Sequence, residues 1–106
     1  MEISAEAREL HRECILIDGH NDSLIEHRAR GESMDLTGDW PEYQVDLPRL
    51  REGGVTAIFS MVGGQELHQS LELWDAMYLH AEQQAHDFLL VLDPSDVQRA
   101  RREKKI

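Results

Sequence analysis

Cysteine is scarce in this sequence, which has one, Cys14, among its 106 residues. A single cysteine excludes an intrachain disulfide and a cysteine-rich zinc module. Cys14 adjoins the apolar run at 15–17, so we expect a buried structural thiol. The alternative is a nucleophile paired with His11, three residues earlier, but no other feature of the sequence favours that pair.

Long hydrophobic runs are missing as well. No stretch of about 18 apolar residues occurs, so we predict no membrane-spanning helix. Residues 1–6 contain neither a basic region nor a continuous apolar segment, so we predict no signal peptide. Together with the single cysteine, these absences favour a soluble protein in the reducing cytoplasm.

Positive charge is low and unevenly placed. The sequence has 11 lysines and arginines against 21 acidic residues, a formal net charge of −10. This balance argues against a nucleic-acid partner, because phosphate contacts require a basic surface. Five basic residues crowd positions 99–105. They indicate either the solvated end of a helix, which the helix dipole favours, or a nucleic-acid-binding tail, and we favour the helix end.

Helical and β-prone segments alternate along the chain, which is short enough to be one domain at most. The pattern predicts helices at 4–13, 24–30, 46–53, from 67 onward and at 94–104. It predicts buried strands at 15–17, which Gly19 ends, and at 55–62, which Gly63 and Gly64 end, and a possible third strand at 89–92. Residues 31–45 are predicted to form a long loop, and Gly53 is expected to be the left-handed stop of the third helix.

This order is typical of an α/β protein with a parallel sheet. Two or three parallel strands leave open edges and uncovered faces, so we interpret residues 1–106 as an incomplete domain, the beginning of a larger α/β protein. The helix from Leu67 has an apolar stripe that we expect to face the core. The stripe consists of Leu67, Leu71, Trp74, Tyr78, Ala81, Ala85 and Phe88.

The stretch IDGHNDS at 17–23 carries the clearest candidate chemistry. His20 and Asp22 follow the first strand, where the catalytic residues of α/β proteins gather, and side chains two apart on a strand point the same way. An imidazole and a carboxylate suit Zn²⁺ and related divalent ions, although two ligands alone are too few. Asp18 is a candidate hydrogen-bond partner for His20. The alternative is a polar turn with a surface histidine.

The other histidines do little to complete a metal site. His80 and His86 lie six residues apart on a helix and cannot share one ligand-bearing face. We expect His68 to be solvated and His27 to be an exposed polar residue near the opening loop. Ser23 and Ser60 have no base at a suggestive spacing, so no serine nucleophile is predicted.

Two blocks together resemble the N-terminal part of the membrane (renal) dipeptidase family, peptidase family M19. They are IDGHNDS after an apolar strand and VDLPRLREGGVTAIFS at 45–60, in the order and approximate spacing of the family. The long helix and the segment DPSDVQRARREKK at 93–105 also resemble the next part of that family's sequences. The resemblance therefore covers essentially the whole chain.

The resemblance implies the N-terminal portion of a (β/α)₈ TIM-type barrel and a site with two zinc ions at its C-terminal face. It implies hydrolysis of dipeptides, or of a related small amide, with His20 and Asp22 as ligands of one zinc. The family's bridging Glu and two further His ligands have no counterpart here. We therefore expect no catalytic residue within this chain, and no activity of the chain on its own.

The sequence departs from the family pattern at Ser23–Leu24 and at 58–61, which leaves the substrate open. One alternative is a non-enzymatic acidic α/β module that pairs with a partner chain, including a second copy of itself. Another is a different metal-dependent amidohydrolase, in which the loop around Trp40 decides the substrate.

Overall fold

The computed structural model describes residues 3–63 and 66–106, which form a mixed α/β structure. Gly64, one of the two glycines expected to end the second strand, lies outside the described residues. The elements in chain order are α1 (Ala5–Glu13), β1 (Leu16–Asn21), α2 (Ser23–Ala29), α3 (Leu47–Glu52), β2 (Val55–Ser60), α4 (Leu67–Gln83) and α5 (Pro94–Glu103).

β1 and β2 pair in parallel and form a two-stranded sheet. The register places Leu16 opposite Val55 and Asn21 opposite Ser60, so the carboxyl ends of the two strands lie side by side. α2, the loop at 31–45 and α3 make the connection between the strands. The predicted α/β class with parallel strands is therefore confirmed for these two strands.

The predicted third strand is wrong. Residues 89–92 form no strand, and the amide of Leu89 donates instead to the carbonyl of Ile106 at 2.9 Å. The amide of Ile106 in turn donates to the carbonyl of Asp87 at 3.0 Å. The amide of Leu89 is thus satisfied by the end of the chain, and that of Leu92 by the carboxylate of Asp96, rather than by a sheet neighbour.

The first strand continues beyond its predicted end. Gly19 does not terminate β1, because pairing with β2 resumes at Asn21 after an irregularity that follows Asp18. The expectation that both strands are buried is also wrong, since Ile15, Ile17 and Phe59 are exposed.

The punctuation of α3 agrees closely with the sequence. The carboxylate of Asp46 caps the helix by accepting from the amide of Arg49 at 2.9 Å, and a proline occupies the first turn. The left-handed residue is Gly54, at φ +69°, rather than the predicted Gly53, at φ −71°. The tight turn into β2 therefore uses the second glycine of the pair.

The apolar stripe of α4 does not face the core as predicted. Leu67, Leu71, Trp74 and Tyr78 are exposed, and the helix ends at Gln83, before Ala85 and Phe88. The face that packs inward contains Leu73, Met77 and His80, which also recur four and three residues apart. The predicted helical period was therefore correct, and its phase was wrong.

The core lies among α2, the long loop, α3 and the C-terminal residues. Its buried members are Leu24, Leu36, Leu47, Leu50, Phe88 and Ile106. Leu36 comes from the 31–45 loop, and its carbonyl accepts from the amide of Leu47 at 2.6 Å. The loop is therefore part of the packed structure, even though it contains no helix or strand.

These positions give a paired test of the packing. Leu36→Ala removes a side chain that is 1% exposed, and we expect it to lower the free energy of unfolding by about 2–5 kcal/mol. Leu67→Ala, at 77% exposure, is the matched control and should change it by no more than about 0.5 kcal/mol. Urea unfolding of both variants measures the difference. A larger loss for Leu67→Ala would restore the predicted stripe.

Candidate functional site

The candidate site lies at the carboxyl end of β1. His20 and Asn21 are the last residues of the strand, and Asp22 is the N-cap of α2. The neighbouring strand also ends here, at Ser60, and the amide of Met61 donates to the carbonyl of Asn21 at 2.8 Å. Polar groups at this edge of parallel strands are typical of the active sites of α/β enzymes.

The structure brings the two predicted ligands together. His20 Nε2 lies 3.2 Å from Asp22 Oδ1, and the side chains are 69% and 52% exposed. Both groups are therefore open to solvent and to an incoming ion. Two donor atoms bound to one tetrahedral zinc at about 2.0–2.1 Å lie about 3.3 Å apart. The observed separation and the imidazole–carboxylate chemistry both fit a shared zinc ion.

Asp18 accepts hydrogen bonds from the backbone amide of His20 and from the side chain of Asn21. The sequence suggested Asp18 as a hydrogen-bond partner of His20, and the structure gives it the backbone amide of that residue. One carboxylate oxygen accepts from the His20 amide at 3.1 Å, and the other accepts from the Asn21 side chain at 2.9 Å. The hydrogen bond from Asn21 is the main cause that lowers the pKa of Asp18 below its usual value, and the bond from the His20 amide acts in the same direction. Asp18 is therefore held in its ionised form.

Asn21 and Ser23 are buried polar residues at this edge. Asn21 Oδ1 accepts from the amide of Ser23 at 3.1 Å, which joins the end of β1 to the first turn of α2. Ser60 Oγ is buried without a hydrogen-bond partner in the part of the chain that the structure describes. It lies at the end of β2, opposite Asn21.

The described residues contain no third ligand for the pair. No cluster of three or more His, Cys, Asp or Glu residues suited to a metal occurs within 3–63 and 66–106. His68 has an exposed side chain, as predicted, and pairs with Glu66. Within these ranges His20 and Asp22 therefore lie together as a pair rather than in a larger group of such residues.

His27 is not the exposed residue that the sequence predicted, because its side chain is fully buried. Its ring stacks on Tyr43 at 4.0 Å and meets the edge of Trp40 at 5.2 Å. Its Nδ1 lies 3.1 Å from the carbonyl oxygen of Ser33, so Nδ1 donates. Trp40 and Tyr43, from the 31–45 loop, cover the ring. Because they lie 13 or more residues away in the sequence, the residues next to His27 do not indicate that it is buried.

His80 is a second buried histidine against the same loop, on the inner face of α4. Its ring lies 5.1 Å from Phe88 and close to the backbone of Met34. Burial is the main cause that lowers the pKa of His80, and His27 acts in the same direction. The Met34 contact and the carboxylate of Asp35 oppose the shift.

The second motif block fastens the far end of the loop. Asp46 is fully buried, accepts from the amide of Trp40 at 3.1 Å and pairs with Arg49 at 2.9 Å. Arg49 also donates to the carbonyls of Trp40 and Tyr43, at 3.0 and 2.8 Å. The Asp46 carboxylate can be buried because these hydrogen bonds and the partly exposed guanidinium of Arg49 satisfy its charge. The VDLPRL segment at 45–50 thus fixes the C-terminal part of the 31–45 loop through Asp46 and Arg49.

Cys14 is exposed, so the expectation of a buried structural thiol is wrong. It occupies the C-cap of α1, and its amide donates to the carbonyl of Leu10 at 3.1 Å. The strand beside it begins only at Leu16, and Ile15 and Ile17 are themselves exposed, so the apolar run does not bury Cys14.

Comparison with known proteins identifies the family. The model of the membrane dipeptidase family, peptidase family M19, matches residues 4–106, so this chain belongs to that family. The resemblance seen in the two sequence blocks is confirmed. The family is one of dipeptidases, which are hydrolases of small peptides, and its members are generally metal-dependent. No curated protein matches the chain.

The cytoplasmic location expected from the sequence is wrong. The family to which the chain belongs is that of the membrane dipeptidases, which are membrane-bound or secreted. Composition and a single cysteine were therefore poor guides to location. In the described ranges, none of the helices is long and apolar enough to cross a bilayer.

The buried His80 predicts how stability depends on pH. Its pKa is lower in the folded state than the ordinary value of 6.5, so protonation favours unfolding. Stability should be greatest above about pH 6.5 and should fall as the pH drops from there through the folded-state pKa. A single proton limits this slope to about 1.4 kcal/mol per pH unit.

His80→Leu removes the titrating group and should flatten that part of the pH dependence. Urea unfolding of the unaltered chain and of the variant, from pH 8 to pH 5, provides the comparison. Equal slopes in the two proteins over this range would contradict the assignment to His80.

Proposed function

We propose that this chain supplies the first part of a zinc-dependent dipeptidase site, with His20 and Asp22 as ligands of one zinc ion. The observation that carries the proposal is the 3.2 Å separation of His20 Nε2 and Asp22 Oδ1 at the carboxyl end of β1. Membership of the membrane dipeptidase family supports the reaction class, which is hydrolysis of a dipeptide or a related small amide.

We also propose that residues 1–106 are the N-terminal portion of a (β/α)₈ barrel. The parallel pairing of β1 with β2, connected through helices, supports this architecture. The exposed apolar side chains of Ile17 and Phe59 support it further, since strands in such barrels are covered on both faces. In the full domain, two zinc ions would share the site, and this chain would hold part of one.

His20 and Asp22 have separate tasks in such a site. The neutral imidazole of His20 binds through Nε2, and the carboxylate of Asp22 binds through Oδ1 and offsets the positive charge of the ion. His20 and Asp22 would hold a zinc ion there, which would supply a Lewis acid for activating water and polarising the scissile carbonyl. Their exposure leaves room for a small substrate beside them.

Two ligands do not make a catalytic centre. Catalytic zinc sites have three protein ligands and one open position. The described residues offer no cluster of that size, so the chain on its own should not hydrolyse dipeptides.

Zinc binding and hydrolysis can be tested separately on the chain. We expect weak Zn²⁺ binding in calorimetric titration, and we expect His20→Ala to abolish the histidine-dependent part because the imidazole is one of only two ligands. His68→Ala is the matched control, since His68 is similarly exposed on α4. It should leave zinc binding unchanged.

A chromogenic dipeptide incubated with the zinc-loaded chain should show no turnover above background. Turnover would contradict the proposal that further ligands are needed. Zinc binding that is identical in the unaltered chain and in His20→Ala would contradict the ligand assignment.

A second candidate function is a non-enzymatic module that binds a partner chain. The observation in its favour is the exposed apolar surface on α4, where Trp74 stacks near Tyr78 with ring centroids 6.4 Å apart. A stable dimer in light scattering, together with zinc binding indifferent to His20→Ala, would favour this function over a metal site.

A further inference from the structure

We infer that Asp18 and Asn21 are positioning residues, which hold His20 and Asp22 at the separation that one metal ion requires. This inference rests on the proposed function. Asp18 and Asn21 do not touch the ion themselves. They act through the backbone from which the two ligands project.

The hydrogen bonds of Asp18 and Asn21 form a continuous brace across residues 18–23. Asp18 accepts from the His20 amide at 3.1 Å and from the Asn21 side-chain nitrogen at 2.9 Å. The other end of the Asn21 amide accepts from the backbone of Ser23 at 3.1 Å. The brace therefore contacts the chain immediately before and after both ligands.

The brace is anchored in the fold, whereas the ligands are not. Asn21 is only 4% exposed, and its carbonyl accepts from Met61 at the end of β2. Within the described ranges, the side chains of His20 and Asp22 have no hydrogen bond or ion pair except with each other. Apart from that mutual contact, their placement is set by the backbone, and the brace fixes the backbone.

The backbone needs fixing at this point. Regular pairing between β1 and β2 is interrupted between Asp18 and Asn21, so the ladder does not hold Gly19 and His20. Both carboxylate oxygens of Asp18 are already used by the brace, which leaves Asp18 poorly suited to bind the ion directly. Groups that orient metal ligands commonly change metal affinity by about 10–100-fold when they are lost.

The chemistry of the pair allows a swap experiment. Asp18→Asn loses one of its two hydrogen bonds, because an amide cannot accept from both the His20 backbone and the Asn21 nitrogen. Asn21→Asp places two carboxylates against each other at the former 2.9 Å contact. The double variant reverses the donor and acceptor, restores all three hydrogen bonds and keeps the net charge of the unaltered chain.

The measurement is Zn²⁺ titration of the full chain, monitored by the NMR signals of the His20 imidazole. We expect each single variant to bind zinc about 10-fold more weakly or worse, and the double variant to recover most of the affinity. Asp39→Asn, which removes an exposed carboxylate from the loop, is the charge-matched control and should retain full affinity. Thermal unfolding of every variant separates affinity from stability.

Amide hydrogen exchange without metal provides a second readout. The amides of His20 and Ser23 should exchange faster in the single variants and return to the original rate in the double variant. A role limited to stability would lower the unfolding temperature of the single variants and leave the zinc affinity of the folded chain unchanged, which would overturn the inference. If a single variant does not fold, the double variant decides: recovered affinity supports the brace and weak affinity overturns it.

The outcomes distinguish this inference from the proposed function. Zinc affinity that is lost in His20→Ala but kept in Asp18→Asn overturns the brace alone. Zinc affinity that is unchanged in His20→Ala overturns the proposed function and the inference with it.

Discussion

The parallel pairing of β1 with β2 is the constraint on which the rest of the site depends. It places Asn21 opposite Ser60 and joins the two carboxyl ends through the hydrogen bond from the Met61 amide to the Asn21 carbonyl. Because the ends coincide, the polar residues that come after β1 lie at one edge of the sheet. Without that pairing, Asn21 would lose its burial and the segment around His20 its anchor.

The polar residues of the IDGHNDS motif at 17–23 have separate physical roles. His20 and Asp22 project into solvent 3.2 Å apart, whereas Asp18 and Asn21 turn their polar groups toward the backbone. A second group of residues holds the 31–45 loop: His27 and His80 against its interior, and the Asp46–Arg49 pair at its end. The two sequence blocks that carry the family resemblance thus correspond to the strand end with the proposed metal ligands and to a loop anchor.

Local signals in the sequence were sufficient for much of the fold. The alternation of helical and β-prone segments located most elements, and the structure has caps at Ser4, Asp46 and Asp93 where three of the helices begin. Such features depend on residues within one turn or one strand, so a short window of sequence contains them. The phase of α4 was not predictable, since two faces of that helix carry apolar residues at helical spacing. Only its neighbours decide that Leu73 and His80 are buried and Trp74 is exposed. The burial of His27 has the same origin, because the rings that cover it come from the distant loop.

The site was predictable to the extent that it is local. Spacing alone placed His20 and Asp22 on one side of a strand end, but the role of Asn21 required the hydrogen-bond pattern.

The most direct test of the ligand assignment is X-ray absorption at the zinc edge of the zinc-loaded chain. We predict one imidazole nitrogen at about 2.0 Å beside oxygen ligands, and loss of the imidazole signal in His20→Ala. An all-oxygen shell in the unaltered chain, or an imidazole signal that survives His20→Ala, would contradict the assignment.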